Sequence, residues 1–305
     1  MKFRKIVQLD PCGLVSPYKE QILSLSTEPP VLYESVPKDE EEIVKRIADA
    51  DCVLVSWNTA INAEIINTVP SVKYIGMCCS LYDEASANVD IGEARKRNIT
   101  VKGVRDYGDN GTVEFIFAEL ICLFKGLGKH LWGNEPTELT AKTIGIIGMG
   151  TLGKLVAQTA LHFGMRVAYY SRTRKEDIEK EGAIYTNLET LLQQSNIVTT
   201  HLPRNTTVLT EKNITLLKKD AIYINTSLGQ PFEIQPFLDW IGQQSGNYAI
   251  FDAPGYGTLE AVLKQHSNII LSHRSSGFTL EARARLAKKV RENMLDYLES
   301  INSFK

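Results

Sequence analysis

Three glycines in the run Gly148-Met149-Gly150-Thr151-Leu152-Gly153 carry the clearest chemistry in this sequence. The run follows an apolar stretch, Thr143-Ile144-Gly145-Ile146-Ile147, and opens a segment whose Leu152, Leu155, Val156, Thr159, Ala160 and Phe163 share one helical face. A G-x-G-x-x-G at a strand-to-helix turn is a dinucleotide-binding fingerprint. Gly148 permits the tight turn, Gly150 lets the backbone approach a pyrophosphate, and Gly153 lets helix and strand pack closely. The helix start, from Thr151 and Leu152 onward, offers free N–H groups and a partial positive charge. A purely structural turn is the alternative.

The next strand, Arg166 to Ser171, ends eighteen residues after Gly153, where an NAD-selective fold places an acid for the ribose hydroxyls. Here the chain has Ser171, Arg172, Thr173, Arg174 and Lys175 instead. Guanidinium forks and hydroxyls suit a 2′-phosphate better than a free diol, so NADP(H) is the expected cofactor and NAD(H) the alternative. A solvated basic loop is the plain account of the same residues.

Four ordered motifs extend the pattern: Glu138-Leu139-Thr140-Ala141-Lys142-Thr143 running into Gly150, then Thr200-His201-Leu202-Pro203, Ile224-Asn225-Thr226-Ser227, and Ser272-His273. In these motifs, and over most of its length, the sequence resembles the D-isomer-specific 2-hydroxyacid dehydrogenases. The resemblance implies a substrate domain built from both chain ends, a cofactor domain between them, a cleft at their junction and a homodimer. It also implies a reaction in which hydride passes between nicotinamide C4 and the hydroxyl-bearing carbon. A histidine moves the hydroxyl proton, an arginine grips carboxylate and carbonyl, and an acid holds the histidine. His273 matches that histidine, and its near-neutral titration suits reversible acid–base work. By the same resemblance Asp252 faces the nicotinamide carboxamide, and His201, Pro203 and Thr226 lie along the cofactor; for His201 a structural role is the alternative.

The sequence departs from that family in three places. The family's Asn-x-x-Arg-Gly is here Asn225-Thr226-Ser227-Leu228-Gly229. Leucine offers no donors, and losing one preorganised charge-stabilising donor costs roughly a hundred- to a thousandfold in turnover. In Asp252-Ala253-Pro254-Gly255-Tyr256-Gly257, glycine stands where the resemblance implies a glutamate; Glu260 is near enough in sequence to replace it if the loop folds differently. The family's glycine-rich carboxylate loop is replaced by Met77 to Ala87, ahead of Asn88-Val89-Asp90. Its backbone amides are candidates for anion binding, opposed by Asp83 and Glu84, and Tyr82 offers a hydroxyl or a packed ring. Arg105, after the strand Ile99 to Val104, is the candidate for the missing cation, with Arg274 and Arg204 behind it.

These groups need a frame. Lys5–Leu9, Cys52–Ser56, Val72–Met77 and Ile99–Val104 read as strands alternating with helices near Glu41–Ala50 and Ala63–Val69, the mark of a parallel βαβ sheet. A second series has strands at Thr143–Ile147, Arg166–Ser171, Ile197–Thr200, Ala221–Asn225, Tyr248–Phe251 and Ile269–Leu271. The fold class is therefore α/β in two domains: a Rossmann-type doubly wound parallel sheet over 106–279, and a smaller flavodoxin-like substrate domain from 1–105 and 280–305. At 305 residues two cores are expected. Between the series Gly111 to Lys129 is apolar nearly all round and reads as an interdomain helix; the last segment, Thr279 to Ile301, has helical spacing and is expected to return to the first domain.

Composition narrows the class. A net charge of -2 argues against a nucleic-acid or membrane-surface partner. The N-terminus runs from basic residues into a strand without a signal-peptide core, so a cytoplasmic protein is expected. Five cysteines without a CxxC pair suggest buried thiols, with neither disulfides nor a zinc site, and adjacent Cys78 and Cys79 would face opposite sides of a strand. Three functions remain: an NAD(P)-linked oxidoreductase of small 2-oxo or 2-hydroxy acids, a catalytically degenerate dinucleotide sensor or interaction protein, and a reductase of carbonyl compounds lacking a carboxylate.

Overall fold

A computed structural model describes residues 1–204, 206–243 and 246–302, so positions 303–305 of the C-terminal segment lie outside the described residues. The chain divides into two compact units, Met1–Tyr107 with Thr279–Lys305, and Gly108–Phe278. No helix of the described residues is long and apolar enough to cross a membrane.

The first unit is built on strands β1 (Ile6–Gln8), β2 (Val31–Leu32), β3 (Cys52–Val55), β4 (Tyr74–Ser80) and β5 (Thr100–Val104). They pair in parallel in the order β2-β1-β3-β4-β5, the flavodoxin-like arrangement. A parallel sheet is covered on both faces, which is why its central strands are apolar runs rather than alternating ones. Val7, Val53, Ile75 and Cys79 enter one core; Ile6, Cys52, Tyr74 and Cys78 enter the other. The adjacent cysteines thus face opposite ways. The second core is closed by the helix Leu280–Asn302, through Leu286, Val290, Met294 and Leu298.

Two differences from the sequence reading have simple causes. Strand β2 has two residues, too few to give a periodicity. Strand β4 runs on to Ser80, so Met77–Ser80, read as the start of a loop, is buried sheet. Cys122 is exposed, whereas the other four cysteines are buried as free thiols.

The second unit holds β6 (Thr143–Ile147), β7 (Arg166–Tyr170), β8 (Ile184–Tyr185), β9 (Ile197–Thr200), β10 (Ile222–Asn225), β11 (Tyr248–Phe251) and β12 (Ile269–Leu271). Their order is β12-β11-β10-β9-β6-β7-β8, parallel throughout. The chain winds outward one way from β6 and the other way from β9, so the crevice between those two strands is the topological switch point where ligands bind in such sheets. The apolar helix Asp109–Lys125 finds its burial inside this unit: Ile116, Phe117, Leu120, Leu123 and Phe124 share a core with β6 and with the helix Thr151–His162. Gly126, at φ +64°, ends it in the left-handed conformation that glycine adopts without a Cβ penalty.

At the carboxyl ends of β1 and β3 a buried acid knits the first unit together. Asp10 accepts hydrogen bonds from Ser56 N at 2.8 Å, Ser56 Oγ at 2.8 Å and Thr59 Oγ1 at 2.6 Å, and all three residues are fully or almost fully buried. Replacing the carboxylate would orphan these donors in a dry site. Asp10→Ala should destabilise the protein by about 3 kcal/mol or more, measured by denaturant unfolding. A loss below about 1 kcal/mol would show that water reaches the donors.

Candidate active site

The turn after β6 is shaped by contacts that leave no room for side chains. Gly148 stands at φ +99°, and a β-carbon on it would lie 2.2 Å from the carbonyl oxygen of His201. A β-carbon on Gly153 would lie 2.1 Å from the carbonyl oxygen of Gly148. Gly150 is the opposite case, since a β-carbon there meets nothing within 4 Å. One side of the turn is therefore packed backbone and the other is open. The helix Thr151–His162 begins at Gly150 with no side-chain cap and no acid in its first turn. Its first amides face that opening without intrahelical partners, as an anion seat requires.

The β9 turn lies alongside. His201 N donates to Ile147 O at 2.8 Å. Leu202 N donates to Ser227 Oγ at 3.0 Å, and Ser227 Oγ donates to Thr200 O at 2.9 Å, which fastens the β9 turn, including Pro203, to the β10 turn. Two buried polar atoms here have no partner among the described residues: Nδ1 of His201 and Oγ1 of Thr226. Burial lowers the His201 pKa to about 3, so the ring is neutral. An open glycine, unpaired helix amides and two orphaned polar atoms at the switch point fit a dinucleotide.

The loop after β7 separates its two arginines. Arg174 is paired with Glu179, which also accepts from Tyr169 Oη at 2.5 Å, and its guanidinium sits 5.5 Å from the Tyr185 ring. Arg174, and after it Tyr169, hold the Glu179 carboxyl down to about 2. The Arg174 guanidinium is thus engaged within its own loop, while its side chain stays largely exposed. Arg172 is exposed and, among the described residues, makes no ion pair; Ser171 and Thr173 flank it. Among the described residues the Lys175 side chain likewise makes no ion pair.

Asp252 is held by three donors. Its Oδ1 accepts from Gly255 N at 2.9 Å, and its Oδ2 from Ser276 N at 2.9 Å and Ser276 Oγ at 2.6 Å. Burial raises its pKa and these bonds oppose the rise. Almost wholly buried, Asp252 caps the helix Ala253–Tyr256 and anchors the Ser276 turn.

His273 follows β12, and its backbone is held from both sides: Ser272 N donates to Phe251 O at 2.8 Å and Ala253 N to Arg274 O at 3.2 Å. The ring is exposed. Its Nδ1 lies 3.5 Å from Glu260 Oε1 and 3.5 Å from Tyr256 Oη. Glu260 reaches it because the chain turns at Gly257, with φ +53° and ψ -119°, and passes through the 3-10 turn Gly257–Leu259 into the helix Glu260–Leu263. Asn225 ties this turn to its neighbour, its Nδ2 donating to Gly255 O at 2.9 Å and Gly229 O at 3.0 Å. Leu228 on that neighbouring turn is partly exposed, and the Arg204 stem passes 3.9 Å from the place of a Gly229 β-carbon.

In the first unit Arg105 clamps the loop after β4. Its Nε donates to Leu81 O at 2.6 Å, a second N–H reaches Tyr82 O, and the guanidinium lies 5.7 Å from the Tyr82 ring. The loop's own amides are largely taken: Leu81 N donates to Val104 O at 3.0 Å and Asp83 N to Ser86 Oγ at 3.2 Å. Backbone capture of an anion is thereby reduced, and the remaining guanidinium donors are what this loop offers. The two acids are turned to other uses, Asp83 capping a short helical turn and Glu84 pairing with Arg95.

Residues 127–274 match the family described as D-isomer specific 2-hydroxyacid dehydrogenase, NAD binding domain. Over those residues the chain carries that family's NAD-binding domain. It is 28% identical over 287 residues to a glyoxylate reductase of Korarchaeum cryptofilum, covering 87% of this chain and 84% of that protein. To a hydroxypyruvate reductase of Blautia hydrogenotrophica it is 26% identical, with 86% of each chain covered. Among solved structures, an acyclic imino acid reductase in complex with NADPH and D-Arg superposes with a TM-score of 0.82 at 26% identity over 97% of both chains. The protein is thus a nicotinamide-dependent oxidoreductase acting on CH–OH groups.

Against the family's motifs, sequence reasoning missed Tyr256 beside His273 and Ser276 on Asp252. Neither gives a spacing signal, because both contacts cross between turns. The Glu260–Lys264 pair was legible as an i, i+4 pattern of opposite charges.

His201 yields a test. Its value in the fold, about 3, lies below the unfolded value of roughly 6.5. The unfolded chain therefore binds a proton first. The stability contribution is complete above about pH 6.5 and is lost progressively as pH falls from there towards 3. His201→Gln should flatten the fall of the melting temperature between about pH 6.5 and pH 4 in scanning calorimetry. Parallel profiles for the two proteins would refute a buried neutral imidazole.

Proposed function

We propose that this oxidoreductase reduces small 2-oxo acids to 2-hydroxy acids with NADPH in preference to NADH, as a cytoplasmic homodimer. The observation that carries the reading is the approach of Glu260 to Nδ1 of His273. An acceptor at Nδ1 selects the tautomer with its proton there and stabilises the imidazolium, leaving Nε2 to exchange a proton with substrate.

When bound, the nicotinamide supplies the hydride to the carbonyl carbon. In this reading His273 gives one proton to the oxygen that becomes the hydroxyl and takes it back in the reverse direction. Arg105 offers its remaining donors to the carboxylate, in the role for which Leu228 has no group. Gly148, Gly150 and Gly153 with the amides from Thr151 and Leu152 hold the pyrophosphate. His201 and Thr226 have orphaned atoms for the adjacent ribose or amide, and Arg172 with Ser171 and Thr173 meets the 2′-phosphate. Nothing in the composition favours a nucleic acid or a membrane as partner.

Leu228 motivates a second reading, a carbonyl substrate without a carboxylate, so each oxo acid is assayed beside its matching aldehyde. Initial rates with glyoxylate, hydroxypyruvate and pyruvate should favour NADPH over NADH by about tenfold or more, and Arg172→Ala should remove most of that preference. His273→Ala should lower turnover by roughly a hundredfold or more. Tight NADPH binding with no turnover above the His273→Ala control on either substrate class would sink the proposal.

A further inference from the structure

One carboxylate oxygen in this site has two claimants. Oε1 of Glu260 lies 3.5 Å from Nδ1 of His273 and 2.5 Å from Nζ of Lys264, one helical turn further on. The shorter contact belongs to the cation that takes no part in the proposed chemistry. All three side chains are at least a third exposed, so the competition is open to solvent and adjustable.

We propose that Lys264 is a positioning residue for the reaction, setting through Glu260 how strongly His273 holds its transferable proton. The inference rests on the role given to His273 above. A carboxylate oxygen already holding an ammonium group offers less to an imidazolium, by charge and by the lone pairs left to it. Lys264 thereby keeps His273 a weaker base than a Glu–His pair alone would make it. The proton is easier to release to a developing alkoxide and harder to retain at high pH.

The surroundings leave few other titratable groups to do this. Tyr256 faces Nδ1 from the preceding helix at 3.5 Å. Burial first, and the Glu260 charge second, push its phenol up, so it stays neutral and contributes only a dipole. Asp252 lies buried beneath with both oxygens engaged by Gly255 and Ser276. Arg274 is adjacent in the chain and exposed. On Glu260 itself, Lys264 is the larger of the two influences that hold its carboxyl below the usual range, and His273 the smaller.

The test is a proton NMR titration of the His273 ring, assigned by loss of its signal in His273→Gln, on the NADPH-bound protein. Lys264→Met should raise the His273 midpoint by about 0.5 unit and Glu260→Gln should lower it by about as much. In the double variant the Lys264 effect should shrink to about 0.2 unit or less, because its path runs through Glu260. The pH dependence of kcat for reduction should move with the NMR midpoint in each variant. A midpoint unmoved by Lys264→Met, or a shift undiminished without Glu260, overturns the inference. Turnover with an unmoved titration refutes the coupling alone. A coupled titration in a protein without turnover refutes the oxidoreductase reading, and with it any catalytic role for Lys264.

Discussion

The second unit depends on how closely the β6 turn approaches the β9 turn. The bond from His201 N to Ile147 O, at 2.8 Å, brings a carbonyl to the place where a side chain on residue 148 would begin. Everything downstream uses that approach. It forces glycine at 148, and Gly153 must in turn admit the Gly148 carbonyl, which fixes the start of the helix against the strand. The helix amides then open on the side where Gly150 has no neighbour. A seat for an anion is what remains when one side of a turn is filled by backbone and the other is kept clear. His201 sits in the same turn, and desolvation keeps its ring neutral, so it brings no charge to the seat.

Charge in this molecule is managed by pairing, which decides which ionic residues are available. Arg174 and Glu179 neutralise each other, Glu84 and Arg95 do likewise, and Asp252 is absorbed by Ser276 and Gly255. Exposed pairs of this kind contribute little to stability. Their effect is on the inventory: among the described residues Arg172, Arg204 and Arg274 make no ion pair in one unit, and part of the Arg105 guanidinium stays open in the other.

The architecture was legible because parallel sheets covered on both faces write continuous apolar runs, and the glycine motif needs its strand and helix in a fixed order. The two-residue strands were not legible, since two residues have no period. The helix Asp109–Lys125 was read as buried, and it is, yet its neighbours could not be told from its composition; its partners lie within its own unit. At the site, sequence singled out the glycines and His273, which the fold sets at the ends of β6 and β12, and could not say which ionic residues were already paired. Arg172 and Arg174 look alike in a sequence. Only the fold shows that Glu179 and Tyr185 hold one of them.

Gly257 shows why reading a missing residue from a motif differs from reading it from a backbone. By motif, a glutamate has been lost there and His273 left without its acid. By geometry, φ +53° with ψ -119° is a conformation that residues with a β-carbon avoid, the kind that glycine supplies at the first corner of a type II′ turn. That corner ends one short helix and starts the 3-10 turn Gly257–Leu259 that leads into the helix from Glu260, whose carboxylate lies 3.5 Å from His273 Nδ1. A glutamate at 257 would strain the turn that delivers Glu260. In this chain the glycine corner and the Glu260 carboxylate work together, and Lys264 reaches the same oxygen.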